Sequence, residues 1–211
     1  MFIIDFDDTL FDTQRLKTAR LHAMSALGVS EEDFWKSYQD ATVSPDGYFT
    51  YTNERHAQML MNYGYDFEAV YEAFRKTTED LRTYLFTDTI AFLTAIRNTK
   101  QPMVLLSLGD PKFQELKVKS SGIHKLFDRM FMVNDSKESV LHHLFETVDP
   151  GNVWFINDKV HETERLLQTF PRMRCIMKIA AHIDRKKYSE CGLPYFDSLT
   201  EINTYVTRDH K

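Results

Sequence analysis

The chain contains little cysteine, no long hydrophobic run and no block of basic residues. Two cysteines, Cys175 and Cys191, are too few for a disulfide framework or a cysteine-based metal site. The apolar runs are far shorter than the roughly 20 residues that a membrane-spanning helix needs. No basic segment followed by an apolar stretch, typical of a secretory signal, is visible at the N-terminus. We therefore expect a cytoplasmic protein with no membrane partner.

The charge balance is slightly acidic. Twenty-six Lys and Arg residues stand against 31 Asp and Glu residues, a formal net charge of -5, so nothing favours nucleic acid as a partner. A hydrophobic fraction of 43% is ordinary for a globular protein. A length of 211 residues suits one domain with a large insertion or two small domains. The sequence leaves open whether the protein is a monomer or a homodimer.

Three aspartates follow the first apolar run almost at once. The chain opens MFIIDFDDTLFDT, in which the run ending at Ile4 predicts a buried strand and Asp5, Asp7 and Asp8 come next. Like charges this close repel each other, and a buried carboxylate is costly unless something compensates it. Either a cation holds the cluster together, or the strand ends in a solvated acidic turn that caps a helix.

The rest of the sequence divides into two parts with different hydrophobic patterns. Helical patterns fill the first part, over residues 14–28, 30–41, 53–64 and 66–85. From about residue 88 onward, predicted strands at 102–108, 128–134, 151–158 and 172–179 alternate with helices at 87–98, 111–122, 136–148, 161–170 and 198–206. This alternation predicts an α/β fold with a parallel sheet that helices cover on both faces. The first strand belongs to that sheet, so the helical block is an insertion.

Ligands of such sheets collect outside the carboxyl ends of the strands. Three polar sequences fall there: DFDDT from Asp5, SLGD from Ser107 and NDKVHE from Asn157. Asp5 stands where it can act as a carboxylate nucleophile. Asp7, two residues on in an extended chain, points to the same side and can exchange a proton with a leaving oxygen and then with water.

The same strand ends carry groups suited to a phosphoryl substrate. Mg²⁺ prefers carboxylates, water and phosphate oxygens, and Asp5 and Asp158 can hold it with a backbone carbonyl near Asp7. The Ser107 hydroxyl and the Leu108 amide offer hydrogen-bond donors to a phosphate oxygen. These groups together predict phosphoryl transfer.

Lys137 opens the helix that precedes the predicted strand at 151–158, and it supplies a cation for phosphoryl transfer. Taken singly, each of these residues has an ordinary alternative. Lys137 alone is a solvated lysine, Ser107 a strand-end hydroxyl and Asp158 the cap of the following helix. Their order and shared location favour catalysis.

These residues make the chain resemble the haloacid dehalogenase (HAD) superfamily of hydrolases over essentially its whole length. The family's Asp-x-Asp-x-Thr motif stands as IIDFDDTLFDT, its Ser/Thr motif as VLLSLG, its lysine as NDSKESV and its acidic motif as VWFINDKVHE. The matching residues are Asp5, Asp7, Thr9, Ser107, Lys137, Asp158 and Glu162.

The resemblance implies a Rossmann-like catalytic core, formed by residues 1–13 and 86–211, and an all-helical cap, formed by residues 14–85. It implies Mg²⁺ dependence and an aspartyl-phosphate intermediate. Thr9, Ser107, Leu108 and Lys137 would contact the substrate, with Asp5, Asp7, Ser107 and Lys137 taking part in catalysis. Asp5, Asp7, Asp158 and Glu162 would form the metal site.

The acidic motif departs from the family pattern at two positions. Asn157 replaces the usual glycine, and Glu162, whose side chain is longer by one methylene, replaces a second aspartate, so Glu162 would either reach the metal through water or not contact it. Lys112 and Lys117 are weaker alternatives to Lys137 because they lie in the segment after the second strand.

The second aspartate of the first motif distinguishes the types of reaction found in the superfamily. Dehalogenase-type members lack it, so Asp7 favours phosphate esters. The leading interpretation is a Mg²⁺-dependent phosphatase acting on a small phosphorylated metabolite. A phosphotransferase or phosphomutase on the same core is an alternative, and a catalytically weak binding or regulatory module is another. Nothing in residues 14–85 identifies the substrate.

Overall fold

A six-stranded parallel sheet forms the centre of the molecule. The computed structural model describes residues 1–208. The strands are β1 Phe2–Ile4, β2 Met103–Leu108, β3 Arg129–Val133, β4 Trp154–Asn157, β5 Arg174–Lys178 and β6 Tyr195–Phe196. Their order is β3-β2-β1-β4-β5-β6, and every pair is parallel. The predicted α/β fold with a Rossmann-like parallel sheet is confirmed.

Ten helices lie in the described residues. They are α1 Thr13–Ser25, α2 Glu31–Thr42, α3 Asn53–Met61, α4 Phe67–Lys76, α5 Thr89–Asn98, α6 Pro111–Ser120, α7 Glu138–Phe145, α8 Val160–Thr169, α9 Arg185–Glu190 and α10 Leu199–Arg208. None of the helices in residues 1–208 has the length and apolar character needed to cross a membrane. The cytoplasmic location stays a prediction.

Strand β1 occupies a central place in the sheet because all three of its residues are apolar. It pairs with β2 on one side and β4 on the other. Alternate side chains of a strand point to opposite faces. Phe2 and Ile4 therefore join one hydrophobic cluster, with α5, α6 and α10, whereas Ile3 joins a second cluster with α7 and α8. Both faces of the sheet are covered.

Helices α1 to α4 share a separate apolar cluster. Met24, Phe34, Leu60 and Phe74 are among its fully buried members. Side-chain oxygens of Asp12, Ser30, Thr52 and Asp66 accept hydrogen bonds from backbone N–H groups in the first turn of each helix. Caps of this kind define where each helix begins. The division of the chain into a core of residues 1–13 and 86–211 and a helical cap of residues 14–85 stays a prediction.

The predicted helix over residues 66–85 is too long. Helix α4 ends at Lys76, and the hydroxyls of Thr77 and Thr78 donate to the carbonyls of Phe74 and Arg75. Such local side-chain bonds compete with helix continuation.

Leu16, Ala19, Ala23 and Leu27 are apolar at helical spacing in the predicted helix over residues 14–28, but the buried face of α1 is a different set. Leu27 lies beyond the helix with 43% of its surface exposed. The helix instead buries Leu16, Arg20 and Met24. A cationic side chain therefore occupies a position on its inner face.

Candidate active site

The carboxyl ends of three adjacent strands bring the predicted site residues together. Ile4 at the end of β1 is in register with Leu105 of β2 and with Ile156 of β4. Asp5 follows β1 directly, and Ser107 and Asp158 each lie two residues beyond the paired positions. Asp5, Ser107 and Asp158 are all buried. Residues more than 100 positions apart in sequence thus meet at one edge of the sheet.

Lys137 is fully buried and bridges two carboxylates. Its Nζ donates to Asp5 Oδ1 at 2.6 Å, to Glu162 Oε2 at 2.7 Å and to Asn157 Oδ1 at 3.2 Å. Burial acts to lower the pKa of Lys137, but the charges of Asp5 and Glu162 outweigh it and raise that pKa. All three ammonium protons have an acceptor, so Lys137 stays a cation beside the candidate nucleophile.

Asn157 takes a structural place in this cluster. Its Nδ2 donates to Glu162 Oε2 at 2.9 Å and to Thr163 Oγ1 at 3.0 Å. A glycine at this position would leave these acceptors without that donor. The two departures from the family motif, Asn157 and Glu162, therefore contact each other and both contact Lys137.

A second lysine holds Asp7. Lys117 Nζ donates to both carboxylate oxygens of Asp7, at 2.5 and 2.7 Å, and Lys117 is almost completely buried. Gln114 Nε2 and Thr13 Oγ1 each donate to Asp7 at 2.6 Å. Burial opposes ionisation of Asp7, but Lys117, Gln114 and Thr13 outweigh it and lower its pKa to about 2. Asp7 is therefore a carboxylate in this arrangement.

Gln114 joins Asp7 to the serine of the second strand. The same Nε2 atom donates to Ser107 Oγ at 2.6 Å and lies 3.3 Å from the Leu108 carbonyl oxygen. The sequence interpretation did not include Gln114. The sequence feature that could have indicated Gln114 is its spacing: Gln114 and Lys117 fall on the same helical face as Phe113 and Val118. The structure buries all four of these residues of α6.

The turn after β1 places the remaining polar residues of the first motif. Thr9 is buried, and its Oγ1 lies 3.4 Å from Asp5 Oδ2. Asp8 has a φ of 56° and accepts hydrogen bonds from the Thr13 backbone N–H at 3.2 Å and from Gln14 Nε2 at 2.9 Å. A left-handed backbone and local bonds of this kind are typical of a turn aspartate.

Asp158 carries the features that a cation site requires. Both of its carboxylate oxygens are buried and have no hydrogen-bond partner. Burial, and after it the charge of Asp5, raises the pKa of Asp158 well above its usual value. A buried carboxylate without a partner is costly, and a divalent cation would compensate it. The donor set therefore fits a metal ion at Asp158 and Asp5.

The four predicted metal ligands do not lie together as one group. Within residues 1–208, no set of three or more His, Cys, Asp or Glu side chains is arranged to hold a metal ion. Asp7 is paired with Lys117 and Glu162 with Lys137. One or two carboxylates are enough for Mg²⁺, which completes its shell with water and phosphate oxygens.

A cavity of about 340 Å³ lies between the strand ends, helices α1, α2 and α6, and the segment that precedes α3. Its lining is rich in cations and aromatic rings. The cations are Lys17, Arg20, Lys117 and Lys159, and the rings belong to Phe34, Tyr38, Phe49, Tyr51 and Phe113. Asp7, Leu108 and Gln114 also line it, so this cavity reaches the strand ends, and Asp7 follows the candidate nucleophile Asp5 by two residues.

A chain of hydrogen bonds fixes the aromatic wall of this cavity. Arg20 donates to the Tyr51 hydroxyl, which is 2.9 Å from His56 Nδ1, and His56 Nε2 is 3.0 Å from Ser37 Oγ. Ser37 in turn donates to the Phe34 carbonyl. Arginine only donates and a carbonyl only accepts, so the directions are determined: Tyr51 donates to Nδ1, and neutral His56 donates from Nε2.

Comparison with known proteins supports the fold and leaves the reaction open. The structure matches one described as a haloacid dehalogenase-like hydrolase from Burkholderia xenovorans LB400, with a TM-score of 0.75, 17% identity and coverage of 96% of this chain and 94% of that one. The chain has the haloacid dehalogenase fold. No protein-family model matches the sequence, and no curated protein does.

Other solved structures with this fold differ in their described activities. One described as a β-phosphoglucomutase from Thermotoga maritima has a TM-score of 0.70, 16% identity and 98% coverage of both chains. A HAD-hydrolase from Bacillus subtilis bound to magnesium has a TM-score of 0.63, 15% identity and coverage of 97% and 96%. Dehalogenases also match. At these identities the likeness shows the fold alone, so function has to be argued from the site.

Proposed function

We propose that this protein is a Mg²⁺-dependent phosphatase that hydrolyses a small phosphorylated metabolite through an aspartyl-phosphate. The observation that carries the proposal is the second aspartate of the first motif. Asp7 lines the cavity two residues after Asp5 and is held by Lys117, Gln114 and Thr13. Hydrolysis of a phosphoryl-enzyme needs such a group, next to the nucleophile, to take a proton from water.

Asp5 is the proposed nucleophile, and three groups around it suit a phosphoryl group. Lys137 keeps a positive charge 2.6 Å from Asp5 Oδ1, which offsets the negative charge brought by the substrate. Ser107, the Leu108 amide and Thr9 are the proposed hydrogen-bond donors to phosphate oxygens. Gln114 positions Ser107 through its 2.6 Å bond and is an addition to the predicted set.

The ion pair with Lys117 favours one of the two roles proposed for Asp7. An ionised carboxylate with a pKa of about 2 can accept a proton from the water that attacks the aspartyl-phosphate. Protonating the leaving oxygen requires Asp7 to carry a proton first. That step therefore requires Lys117 or Gln114 to release the carboxylate when substrate enters the cavity.

Asp5 and Asp158 are the proposed side-chain ligands of the metal, with the Asp7 backbone carbonyl. When bound, Mg²⁺ would neutralise charge on the transferring phosphoryl group. Glu162 acts in this proposal through Lys137, since its Oε2 is bonded to Lys137 Nζ and Asn157 Nδ2. Residues 14–85 are the proposed cap, which would exclude bulk water from the cavity.

The test is phosphate release from a panel of phosphorylated metabolites, with Mg²⁺ and with EDTA, for wild type, Asp5→Asn and Asp7→Asn. We expect Mg²⁺-dependent release that Asp5→Asn abolishes while circular dichroism shows an unchanged fold. Halide release from 2-haloacids, assayed in parallel, would instead support dehalogenase chemistry. Faster transfer to an added sugar than to water would support a mutase or transferase. Phosphate release that survives Asp5→Asn would refute the mechanism.

A further inference from the structure

Arg20 is a buried cation without a carboxylate partner. It lies on α1 and has only 3% of its surface exposed. Its Nη1 donates to the Tyr51 hydroxyl at 2.5 Å and its Nη2 to Asn53 Oδ1 at 2.6 Å, while its buried Nε has no partner. Within residues 1–208 it forms no ion pair. The guanidinium carbon also lies 5.1 to 5.5 Å from the rings of Tyr51, Phe74 and Phe113.

This arrangement compensates the positive charge only in part. Neutral acceptors and ring faces stabilise a buried guanidinium less than a carboxylate does, because they carry only partial negative charge. Elsewhere in the molecule arginine pairs with carboxylates even at the exposed surface, as Arg75, Arg97 and Arg185 do. A purely structural link between α1 and α3 would not need a charge at this buried position.

Lys17 lies one helical turn before Arg20 and lines the same cavity. Its Nζ is 5.0 Å from the centre of the Tyr38 ring, and it makes no hydrogen bond or ion pair within residues 1–208. Burial lowers the pKa of Lys17, and the charges of Asp8 and Asp7 offset this effect only in part. Residues three apart on a helix lie on the same face, so α1 presents to the cavity two cations that form no ion pair within residues 1–208.

The acidic residues of the lining do not neutralise these two cations directly. Asp7 is paired with Lys117. Asp8 accepts hydrogen bonds from the first two residues of α1, and Asp110 caps α6 by accepting from the Phe113 backbone N–H. The part of the cavity formed by α1 therefore has an excess of positive charge.

One ring connects this part of the cavity to the reaction centre. The centre of the Phe113 ring is 5.1 Å from the Arg20 guanidinium carbon and 5.6 Å from Lys117 Nζ, which itself holds Asp7. The guanidinium carbon therefore lies no farther from Lys117 Nζ than these two distances together. That separation is within the span of a small metabolite with an anionic group at each end.

We propose that the alcohol part of the substrate carries a second anionic group, a carboxylate or another phosphate, which Arg20 and Lys17 bind while the scissile phosphate lies at Asp5. This inference rests on the proposed phosphatase function and narrows its substrate class. Tyr38, Tyr51 and Phe113 form the wall beside the second anion. A substrate with a neutral alcohol would leave these two cations without a negatively charged partner in the enzyme–substrate complex.

The test compares phosphate monoesters that differ only at the far end of a three- to five-carbon chain, which ends in carboxylate, phosphate or hydroxyl. For wild type we expect kcat/KM at least tenfold higher for the two doubly anionic series than for the hydroxyl series. The better of those two series identifies the second anion. Equal or better use of the hydroxyl series by wild type would overturn the proposal.

Variants separate local binding from general effects. We expect Lys17→Met to raise KM for the doubly anionic esters about tenfold with little change for the hydroxyl esters, and Arg20→Met to do the same more strongly. Arg15→Met is the matched control on the same helix, because Arg15 donates to the Thr83 carbonyl and does not line the cavity. Lys17 makes no structural hydrogen bond, so its variant remains informative if Arg20→Met does not fold. An equal loss on all three series would contradict the inference.

Binding to the Asp5→Asn variant distinguishes failure of this inference from failure of the proposed function. Calorimetry with the carboxylate and hydroxyl esters measures affinity without turnover. Tighter binding of the carboxylate ester that Lys17→Met abolishes would support the anion site even if wild type released no phosphate. Equal affinity for the two esters would refute the site even if wild type were an efficient phosphatase.

Discussion

His56 provides a test of the hydrogen-bond chain that supports the cavity wall. It is completely buried, and burial, followed by the positive charge of Arg20, lowers its pKa to about 3. Burial also raises the pKa of Tyr51 to about 12, so Tyr51 keeps the proton that it donates to His56. A protonated His56 would direct its second N–H at the Tyr51 hydroxyl, which would then no longer donate to Nδ1 and already accepts from Arg20. The folded protein therefore holds this histidine neutral well below neutral pH.

The size of the effect follows from the two pKa values. In the unfolded chain His56 takes up a proton below a pKa of 6.5, whereas in the folded chain it does so only near 3. Its contribution to stability is therefore fully present above pH 6.5 and is lost as the pH falls toward 3. Between pH 6.5 and 4.5, two pH units at about 1.36 kcal/mol per unit give a loss of roughly 2.7 kcal/mol.

The assay is urea unfolding at pH 7.5 and 4.5 for wild type and His56→Gln, followed by tryptophan fluorescence. Glutamine has no charge at either pH, so the comparison cancels other titrating groups and the constant cost of the substitution. We expect the free energy of unfolding of wild type to fall by roughly 2.7 kcal/mol more than that of His56→Gln. An equal pH dependence of the two proteins would refute the neutral, hydrogen-bonded histidine.

Three further predictions concern the strand ends. Lys137→Met leaves two buried carboxylates unpaired, and we expect the free energy of unfolding to fall by roughly 3 kcal/mol or more at pH 8, measured by urea unfolding. Gly109→Ala would place a Cβ 2.8 Å from Gln114 Cδ, so we expect that side chain to move away from Asp7 and kcat to fall, measured by steady-state kinetics. Asp158→Asn removes a buried carboxyl group that has no hydrogen-bond partner and whose ionisation is costly, so we expect a higher melting temperature without metal and no further rise with Mg²⁺.

Each of these has an outcome that contradicts it. Lys119 forms an exposed ion pair with Glu115, so Lys119→Met serves as the control and should change stability little. If Lys137→Met lowered the free energy of unfolding no more than Lys119→Met does, the buried ion pairs of Lys137 would not be stabilising. Unchanged kcat in Gly109→Ala would show that the position of Gln114 is unimportant. A Mg²⁺-induced rise in melting temperature that persists in Asp158→Asn would place the metal elsewhere.

The elements with strong periodic patterns were predictable from the sequence. The run ending at Ile4 and the run at 103–108 are continuous and apolar, and both form buried strands. Short or locally decided elements were not. Helix α9 has six residues and β6 has two, and neither is long enough to show a period. The end of α4 depends on two threonine hydroxyls rather than on hydrophobic pattern.

The residues of the candidate site likewise divide into those that the sequence could identify and those that only the fold identifies. Asp5 and Asp7 stand out because three aspartates after a strand are chemically unusual. Lys137 is an ordinary lysine in sequence, and only its complete burial against Asp5 distinguishes it from a solvated one. Lys117 was a weaker candidate for the same role, yet the fold places it on Asp7, 110 positions away. Sequence spacing gives no measure of such a distance.

The sequence by itself determined the α/β alternation, the buried first strand and the aspartates that follow it, because these depend on neighbours within a few residues. Only the tertiary structure decided which charges are paired, which are buried and which remain uncompensated. Lys117 and Lys137 each pair with a carboxylate, whereas the Asp158 carboxyl group has no hydrogen-bond partner and Arg20 forms no ion pair within residues 1–208. The physical reason is that Coulomb attraction and the loss of hydration depend on distance and burial, which arise when remote segments of the chain pack together.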